Sequence, residues 1–121
     1  MDQTKRLLRS FKYAFAGLSE AVQTETNWKI GILEAIIVIA GGFYFNISKL
    51  DWILVILLIG IVLSAELCNS AIEAIVDSFV DREHPRAKIA KDFAAAQSVI
   101  LIISAGIAGI LIFWPYFIKI I

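Results

Sequence analysis

Four polar residues follow an uninterrupted apolar run at helical spacing. They are Glu66, Asn69, Glu73 and Asp77. The spacings are three, four and four residues, so at about 100° of rotation per residue the side chains fall within roughly 80° of one another on a helix. We call this stripe the acidic face. Three carboxylates on one face repel one another and are costly beside hydrocarbon. The acidic face therefore predicts a site that holds a metal ion, binds a basic partner or relays protons.

Phosphoryl transfer is one chemistry that such residues could perform. It needs a divalent cation on the phosphate oxygens, a positive charge near them and a base beside the attacking hydroxyl. Residues of suitable type for these tasks are Glu25, Glu66, Glu73 and Lys91. Mg²⁺ takes one or two carboxylates together with substrate phosphates, which suits a sparse acidic cluster. Neither Gly-x-x-x-x-Gly-Lys-Ser/Thr nor Gly-x-Gly-x-x-Gly occurs in the sequence, so a nucleotide would bind without these glycine-rich loops.

The composition is that of a membrane protein. Of the 121 residues, 60% are hydrophobic and 18% are charged, whereas a soluble domain has about 25% charged residues. The mean hydropathy is +0.82. Eleven basic and eleven acidic residues cancel, so no overall positive field favours nucleic acid. A single cysteine, Cys68, excludes an internal disulfide. We predict an all-α integral membrane protein that binds no nucleic acid.

Hydrophobic patterning predicts one amphipathic helix followed by three membrane spans. Apolar residues at three- and four-residue spacing place an N-terminal surface helix at about 4–24, lying in the headgroup region or packed on the bundle. Three apolar segments long enough to cross a bilayer follow. We place them at about 28–47, 52–77 and 93–116. A polar turn is expected at 46–51, and Pro85 indicates a hydrophilic loop at 81–91. The whole chain, 1–121, is predicted to be a single membrane domain.

Basic residues near the ends of the spans predict the orientation. Most of them precede the first span or lie between the second and third: Lys5, Arg6, Arg9, Lys12, Arg82, Arg86, Lys88 and Lys91. The turn at 46–51 has only Lys49, and the C-terminal tail has only Lys119. Because cytoplasmic segments carry the excess of lysine and arginine, we expect the N-terminus and the acidic face on the cytoplasmic side.

Two runs of the sequence resemble the signature of the prokaryotic diacylglycerol kinase family. Residues 66–77 read Glu-Leu-Cys-Asn-Ser-Ala-Ile-Glu-Ala-Ile-Val-Asp, and residues 87–95 read Ala-Lys-Ile-Ala-Lys-Asp-Phe-Ala-Ala. The family carries Glu-x-x-Asn-Ser/Thr-Ala-Ile-Glu-x-x-Val-Asp on its second membrane helix and a Lys-Asp pair opening its third. The resemblance extends from about Ser10 to the end.

This resemblance implies a fold, an assembly and a reaction. Members of the family are small three-span proteins with an N-terminal surface helix. They work as homotrimers whose active sites combine residues of neighbouring subunits. They transfer the γ-phosphate of Mg-ATP to the hydroxyl of a membrane lipid. The resemblance therefore implies a lipid kinase of the bacterial cytoplasmic (inner) membrane, with ATP as co-substrate and Mg²⁺ as cofactor.

Positions that match the family's motifs indicate which residues of this chain correspond to the family's site residues. The resemblance implies that Glu66 is the general base for the lipid hydroxyl, and that Glu25 and Glu73 hold Mg²⁺ on the phosphates. Asn69 would orient substrate or nucleotide. The other nucleotide- and phosphate-binding candidates are Tyr13, Gly17, Asp77, His84, Lys91 and Asp92. Simple alternatives are a headgroup-level aromatic and a packing glycine for the two residues of the surface helix, and a solvent-facing loop residue for the histidine.

Some positions depart from the family pattern and leave the acceptor open. Gln97 stands where many relatives have a small residue. With Ser98 it is a candidate for contacting the substrate headgroup, and an interhelical hydrogen bond is the alternative for Gln97. The segment Glu25-x-Asn-x-Lys-Ile30 resembles the form common in undecaprenol kinases, although Gly31 stands where a histidine often follows. Diacylglycerol is the first expected acceptor and undecaprenol the second.

Two other classes of function compete with a kinase. An ion or proton conduit would also place carboxylates within a span, but it predicts that they continue to the far side. The turn at 46–51 and the tail offer only Asp51 there. A purely structural helper protein would explain the small residues of the third span but not the acidic face.

Overall fold

The computed structural model describes residues 2–81 and 83–121, and these residues form four α-helices with no β-strand. The helices are α1 (Gln3–Thr24), α2 (Thr26–Phe45), α3 (Lys49–Phe79) and α4 (Pro85–Ile120). Three of them, α2 to α4, are long and apolar enough to cross a membrane. The predicted class, three candidate spans behind an N-terminal helix, is therefore confirmed. Arg82, one of the cations used to predict the orientation, lies outside the described residues.

The first helix is amphipathic and little covered by the rest of the chain. The side chain of Asp2 caps it by accepting a hydrogen bond from the Thr4 amide at 3.3 Å. Large apolar side chains such as Leu7 and Phe11 are exposed, while Ala21 near the end of α1 is buried. The apolar face of α1 is thus free to lie against lipid at the membrane surface.

The turn between α2 and α3 is shorter than predicted. Asn46 ends α2 with a φ of 52°, in the left-handed region that asparagine tolerates. Ser48 then caps α3, because its hydroxyl accepts a hydrogen bond from the Asp51 amide at 3.1 Å. Residues 49–51, expected in the polar turn, are therefore already helical.

The second connection also differs from the prediction. The hydrophilic loop expected at 81–91 ends at His84, and α4 begins at Pro85. Proline suits the first position of a helix, where its missing amide hydrogen would have no helical partner. His84 caps the helix, since its Nδ1 accepts a hydrogen bond from the Arg86 amide at 3.1 Å. The prediction of a loop over 85–91 is therefore wrong, because proline starts this helix rather than ending one.

The central helix, α3, packs against both α2 and α4. The best packed region surrounds the α2–α3 turn, where Ile47, Val55 and Ile112 are buried together. The Trp52 ring lies directly on Gly42, so closely that a Cβ there would be 2.6 Å from the ring. We call this region, residues 42–55 with 112–116, the turn end. The acidic face lies at the other end of the bundle.

Candidate active site

Glu25 occupies the one-residue break between α1 and α2. Its backbone is extended, with φ −94° and ψ 103°. The backbone still joins both helices, because the Glu25 amide donates to the Ala21 carbonyl and its own carbonyl accepts from the Lys29 amide, each at 3.0 Å. The carboxylate reaches across to α3, where the Ser70 hydroxyl donates to Glu25 Oε2 at 3.3 Å. Glu25 and the middle of the acidic face are thus brought together from 45 residues apart.

A tryptophan fixes this approach of α2 to α3. Trp28 is buried, and its indole Nε1 donates to the Leu63 carbonyl at 3.1 Å. Gly31, about one turn further along α2, lies so close to Leu63 that a Cβ there would be 2.9 Å from its side chain. The start of α2 is therefore held against α3 by one hydrogen bond and close packing, and Glu25 is positioned by the helix that follows it.

The other side of the site comes from the first turns of α4. Lys91 Nζ lies 2.9 Å from Asp77 Oδ1, and the two side chains are 41% and 42% exposed. A cleft of about 490 Å³ opens around this ion pair. Its lining is Val76, Asp77, Ala87, Lys88, Lys91 and Asp92. Lys88 and Asp92 form a further ion pair at 2.6 Å on the surface of α4. Lys91 and Asp92 therefore face a cavity that a polar ligand could enter.

Helical geometry places the two central carboxylates between these two sides. Measured around α3 from Glu66, Ser70 lies at about +40° and Val76 at about −80°, at 100° per residue. Ser70 contacts the start of α2, and the buried Val76 lines the cleft together with residues of α4. Glu66 and Glu73, at about 0° and −20°, lie between them. The acidic face is thus the floor of a groove bordered by α2 and α4.

The acidic residues are better suited to a metal ion that binds together with a phosphate ligand than to one coordinated by protein side chains alone. Within residues 2–81 and 83–121, no group of three or more His, Cys, Asp or Glu side chains is close enough to bind a metal. Mg²⁺ in phosphotransfer sites keeps several waters and is bound by one or two carboxylates together with substrate phosphates. The carboxylate of Glu25, which contacts Ser70, and that of Glu73, about one turn further along α3, fit that sparse donor set.

Two side-chain oxygens, one on the acidic face and one on α4, are buried without a hydrogen-bond partner. They are Oδ1 of Asn69 and Oγ of Ser98. Buried polar atoms are nearly always hydrogen-bonded, so this pair is unusual. Ser98, predicted to contact the substrate, lies in the interior of the protein, whereas its neighbour Gln97 is exposed on α4.

The remaining predicted positions make no contact with the acidic face that the structure records. Tyr13 is 67% exposed, and a Cβ at Gly17 would have no neighbouring atom within 4 Å. Both residues are on α1 and neither is covered by the rest of the chain. His84 caps α4 one turn before the cleft. Sequence reasoning missed Ser70, although it lies inside the 66–77 motif and its position beside Asn69 was a usable signal.

Together, the fold and the site define a small α-helical membrane protein with an acidic helix face and a polar cleft at one end of its bundle. The family model for prokaryotic diacylglycerol kinase matches residues 12–113. The chain belongs to this family, and its enzyme class is lipid kinase. The resemblance found in the 66–77 and 87–95 motifs is confirmed.

Relatives of this chain carry two names. The chain is 39% identical to undecaprenol kinase from Bacillus subtilis (strain 168) over 114 residues, which are 94% of this chain and 93% of that protein. It is 35% identical to diacylglycerol kinase from Haemophilus influenzae over 109 residues, covering 88% and 92% of the two chains. A diacylglycerol kinase from Synechocystis is 36% identical over 104 residues, which are 85% of this chain and 59% of that protein.

Proposed function

We propose that this protein transfers the γ-phosphate of ATP to the primary hydroxyl of a membrane lipid in the groove along the acidic face. The observation that carries the proposal is the contact of Glu25 with Ser70 at 3.3 Å. This contact supports the proposal because Ser70 lies on α3 about one turn after Glu66 and one turn before Glu73. Three carboxylates are thus available for two tasks, holding a metal and accepting a proton.

Glu66 is the proposed general base. It is the member of the acidic face nearest the middle of the apolar span, so it is the one that a lipid hydroxyl reaches first from the membrane. Its carboxylate takes the hydroxyl proton as the oxygen attacks the γ-phosphorus. Glu25 and Glu73 would hold Mg²⁺, which supplies charge neutralisation on the phosphate oxygens when bound.

The nucleotide side of the site is assigned to the first turns of α4. Lys91 meets phosphate oxygens, and Asp77 holds its ammonium group in place at 2.9 Å. Asp92 and His84 border the same region and order the nucleotide. Asn69 orients substrate, and Gln97 is the proposed contact for the lipid headgroup. Tyr13 and Gly17, uncovered on α1, flank the nucleotide.

Undecaprenol is the acceptor we favour, and diacylglycerol is the second candidate. Support for undecaprenol comes from the 39% identity to an undecaprenol kinase across nearly the full length of both chains. Diacylglycerol is supported by the family model and by relatives at 36% and 35% identity. Both lipids present a primary hydroxyl and differ mainly in the apolar volume behind it.

A direct assay separates the two acceptors. Purified protein in mixed micelles is given Mg²⁺ and γ-labelled ATP with undecaprenol, diacylglycerol or no added lipid. We expect labelled lipid phosphate with undecaprenol at a rate at least tenfold above that with diacylglycerol, a difference equivalent to about 1.4 kcal/mol in transition-state binding. Preference for diacylglycerol would reverse the assignment, and transfer to neither lipid would contradict the proposed function.

We also propose that the protein works as a homotrimer. One chain leaves the groove open and most large apolar side chains of its spans exposed, so neighbouring subunits would complete the site. Light scattering of the detergent-solubilised protein should give a protein mass three times the 13.4 kDa of the chain. A protein mass of one or two chains would contradict the trimer.

The proposed location is the bacterial cytoplasmic membrane, with the N-terminus and the acidic face toward the cytoplasm, where ATP is available. A cysteine placed at the exposed Ser78, in a Cys68→Ser background, tests this orientation. A membrane-impermeant maleimide should label it in inverted vesicles and leave it unlabelled in intact cells. Labelling in intact cells would reverse the orientation.

A further inference from the structure

The two unpartnered oxygens of Asn69 and Ser98 lie on facing sides of α3 and α4. On α3, Asn69 is one turn after the buried Ala65 and shares its side of the helix. On α4, Ser98 is one turn after the buried Ala94. Ser98 is itself only 6% exposed. Both polar side chains thus belong to the rows of small residues through which the two helices pack.

Their level along the bundle is also the same. The short connection makes α3 and α4 antiparallel, and the ion pair between Asp77 and Lys91 fixes their register. Asn69 is eight residues before Asp77, and Ser98 is seven residues after Lys91. At 1.5 Å per residue, the two side chains are within about one residue of the same height. The Asn69 carbonyl oxygen therefore has one nearby candidate donor whose own hydrogen-bonding capacity is unused.

We propose that Ser98 is a positioning residue for Asn69. Neither oxygen has a direct partner in the structure, so the Ser98 hydroxyl donates to one buried water, which in turn donates to Asn69 Oδ1. Because the amide is planar, holding its oxygen toward α4 turns its NH₂ group toward the groove that contains Glu66 and Glu73. There the NH₂ group donates to anionic oxygens of the substrates. The inference rests on the proposed kinase function and gives Ser98 a role through Asn69 instead of direct contact with the lipid.

The charge pattern explains why the orientation matters. A flipped amide would present its oxygen to carboxylates and phosphates, and like partial charges repel one another. Without the Ser98 hydroxyl, the correct orientation loses its hydrogen bond on the buried side. Loss of this hydrogen bond should destabilise the transition state more than the complex with ATP. We therefore expect kcat to fall while KM for ATP is retained.

The first measurement observes the side chain itself. The sequence has three asparagines, Asn27, Asn46 and Asn69, so selective ¹⁵N-asparagine labelling gives three side-chain NH₂ signals in detergent. Replacing Ser98 with alanine should shift the Asn69 signal and leave the other two in place. Ser104→Ala, a matched change at an exposed serine of α4, should move none of them. An unmoved Asn69 signal in Ser98→Ala would overturn the proposal whether or not the protein is a kinase.

The second measurement links the hydrogen bond to turnover. Ser98→Ala should lower kcat about tenfold, as loss of a supporting hydrogen bond does at comparable sites, with KM for ATP changed less than twofold. Ser98→Cys keeps a weak donor and should fall between serine and alanine. In an Asn69→Ala background, Ser98→Ala should have no further effect on the residual kcat. An equal loss in both backgrounds would mean that Ser98 acts independently of Asn69, which contradicts the proposal.

The two measurements separate this inference from the proposed function. If the wild-type protein forms no phosphorylated lipid, the kinase proposal is wrong. The NMR signal of Asn69 then still decides whether Ser98 holds the Asn69 side chain. If the wild type turns over normally and Ser98→Ala has the same kcat, only the positioning role of Ser98 is contradicted. If Ser98→Ala does not fold, Ser98→Cys carries both measurements, since it differs from the wild type by one atom.

Discussion

The two ends of the helix bundle are built in different ways. At the turn end, Val55 is 2% exposed, the Trp52 ring covers Gly42, and the Tyr116 hydroxyl joins the α2–α3 turn to α4. At the other end, called here the site end, the Trp28 indole holds α2 against α3, and two further polar contacts join α3 to its neighbours. These are the Ser70 hydroxyl with Glu25 and the Lys91 ammonium with Asp77.

The contrast indicates that the turn end mainly stabilises the fold and that the site end carries the chemistry. Close apolar packing gives most of the stabilisation that a helical bundle has. The cavity of about 500 Å³ that reaches the turn end is lined mainly by apolar side chains, among them Val55, Ile112 and Phe113. The partly exposed polar contacts of the site end contribute little to stability but leave carboxylates and an ammonium group open to a charged substrate. Substitutions at the site end should therefore change turnover, and those at the turn end should change stability.

Glu66→Gln should have the largest effect. Loss of the general base should lower kcat at least about 10²-fold, with ATP affinity and melting temperature retained because the amide keeps the size of the side chain. Steady-state kinetics and ATP binding measure the two quantities. Glu34→Gln, the same change at an exposed position of α2, is the matched control and should keep full turnover. Full turnover in Glu66→Gln would place the base elsewhere.

Gly42→Ala tests the turn end. The added Cβ would be 2.6 Å from the Trp52 ring, so the ring must move and the free energy of unfolding should fall by about 2 kcal/mol. Unfolding in a denaturing detergent measures the loss, and kcat per folded molecule should be unchanged. At the adjacent Gly41 a Cβ would be at an ordinary 3.6 Å from Phe113, and Gly41→Ala should be tolerated. Equal stability of the two variants would contradict the packing described for this end.

Lys91→Gln tests the cationic side of the site end. Its ion pair with Asp77 is about 40% exposed, so the loss of stability should stay below about 1 kcal/mol. Loss of a phosphate contact should raise KM for ATP about tenfold, which is about 1.4 kcal/mol of binding. Lys119→Gln, in the last turn of the same helix, should leave KM unchanged. A large loss of stability with normal KM would make Lys91 a structural residue.

Tyr116→Phe should have the smallest effect. Its hydroxyl accepts from the Ser48 amide at 3.1 Å and donates to the Asp51 carboxylate, and losing this link should cost about 1 kcal/mol of unfolding free energy. Turnover should not change. The exposed Tyr44 of α2 provides the control, since Tyr44→Phe should affect neither quantity. Reduced kcat at normal stability would show that the two ends are coupled.

The sequence predicted the helices better than their connections. Long apolar runs and the spacing of the acidic face are local signals, so the helical class and one side of the site followed from them. Pro85 was interpreted as a helix breaker, although the same residue type favours the first position of a helix. Ser48 and His84 act through capping hydrogen bonds that shorten both connections, and these were not anticipated.

Contacts between helices could not be predicted from the sequence, because they depend on how the helices face one another. The approach of Glu25 to Ser70 joins residues that no local period relates. The hydrogen bond of Trp28 with the Leu63 carbonyl, which sets this approach, uses a backbone acceptor that any residue could supply. The buried oxygens of Asn69 and Ser98 likewise become visible only when α3 and α4 are in register.

A magnesium titration of lipid phosphorylation tests most directly whether the acidic face holds the metal of phosphoryl transfer. Labelled lipid phosphate is measured against Mg²⁺ concentration for the wild type and for Glu73→Gln at fixed ATP. The account predicts that Glu73→Gln needs at least about tenfold more Mg²⁺ for half-maximal turnover, or shows no turnover, because one of two metal-binding carboxylates is lost. Superimposable titration curves with equal maximal rates would contradict it.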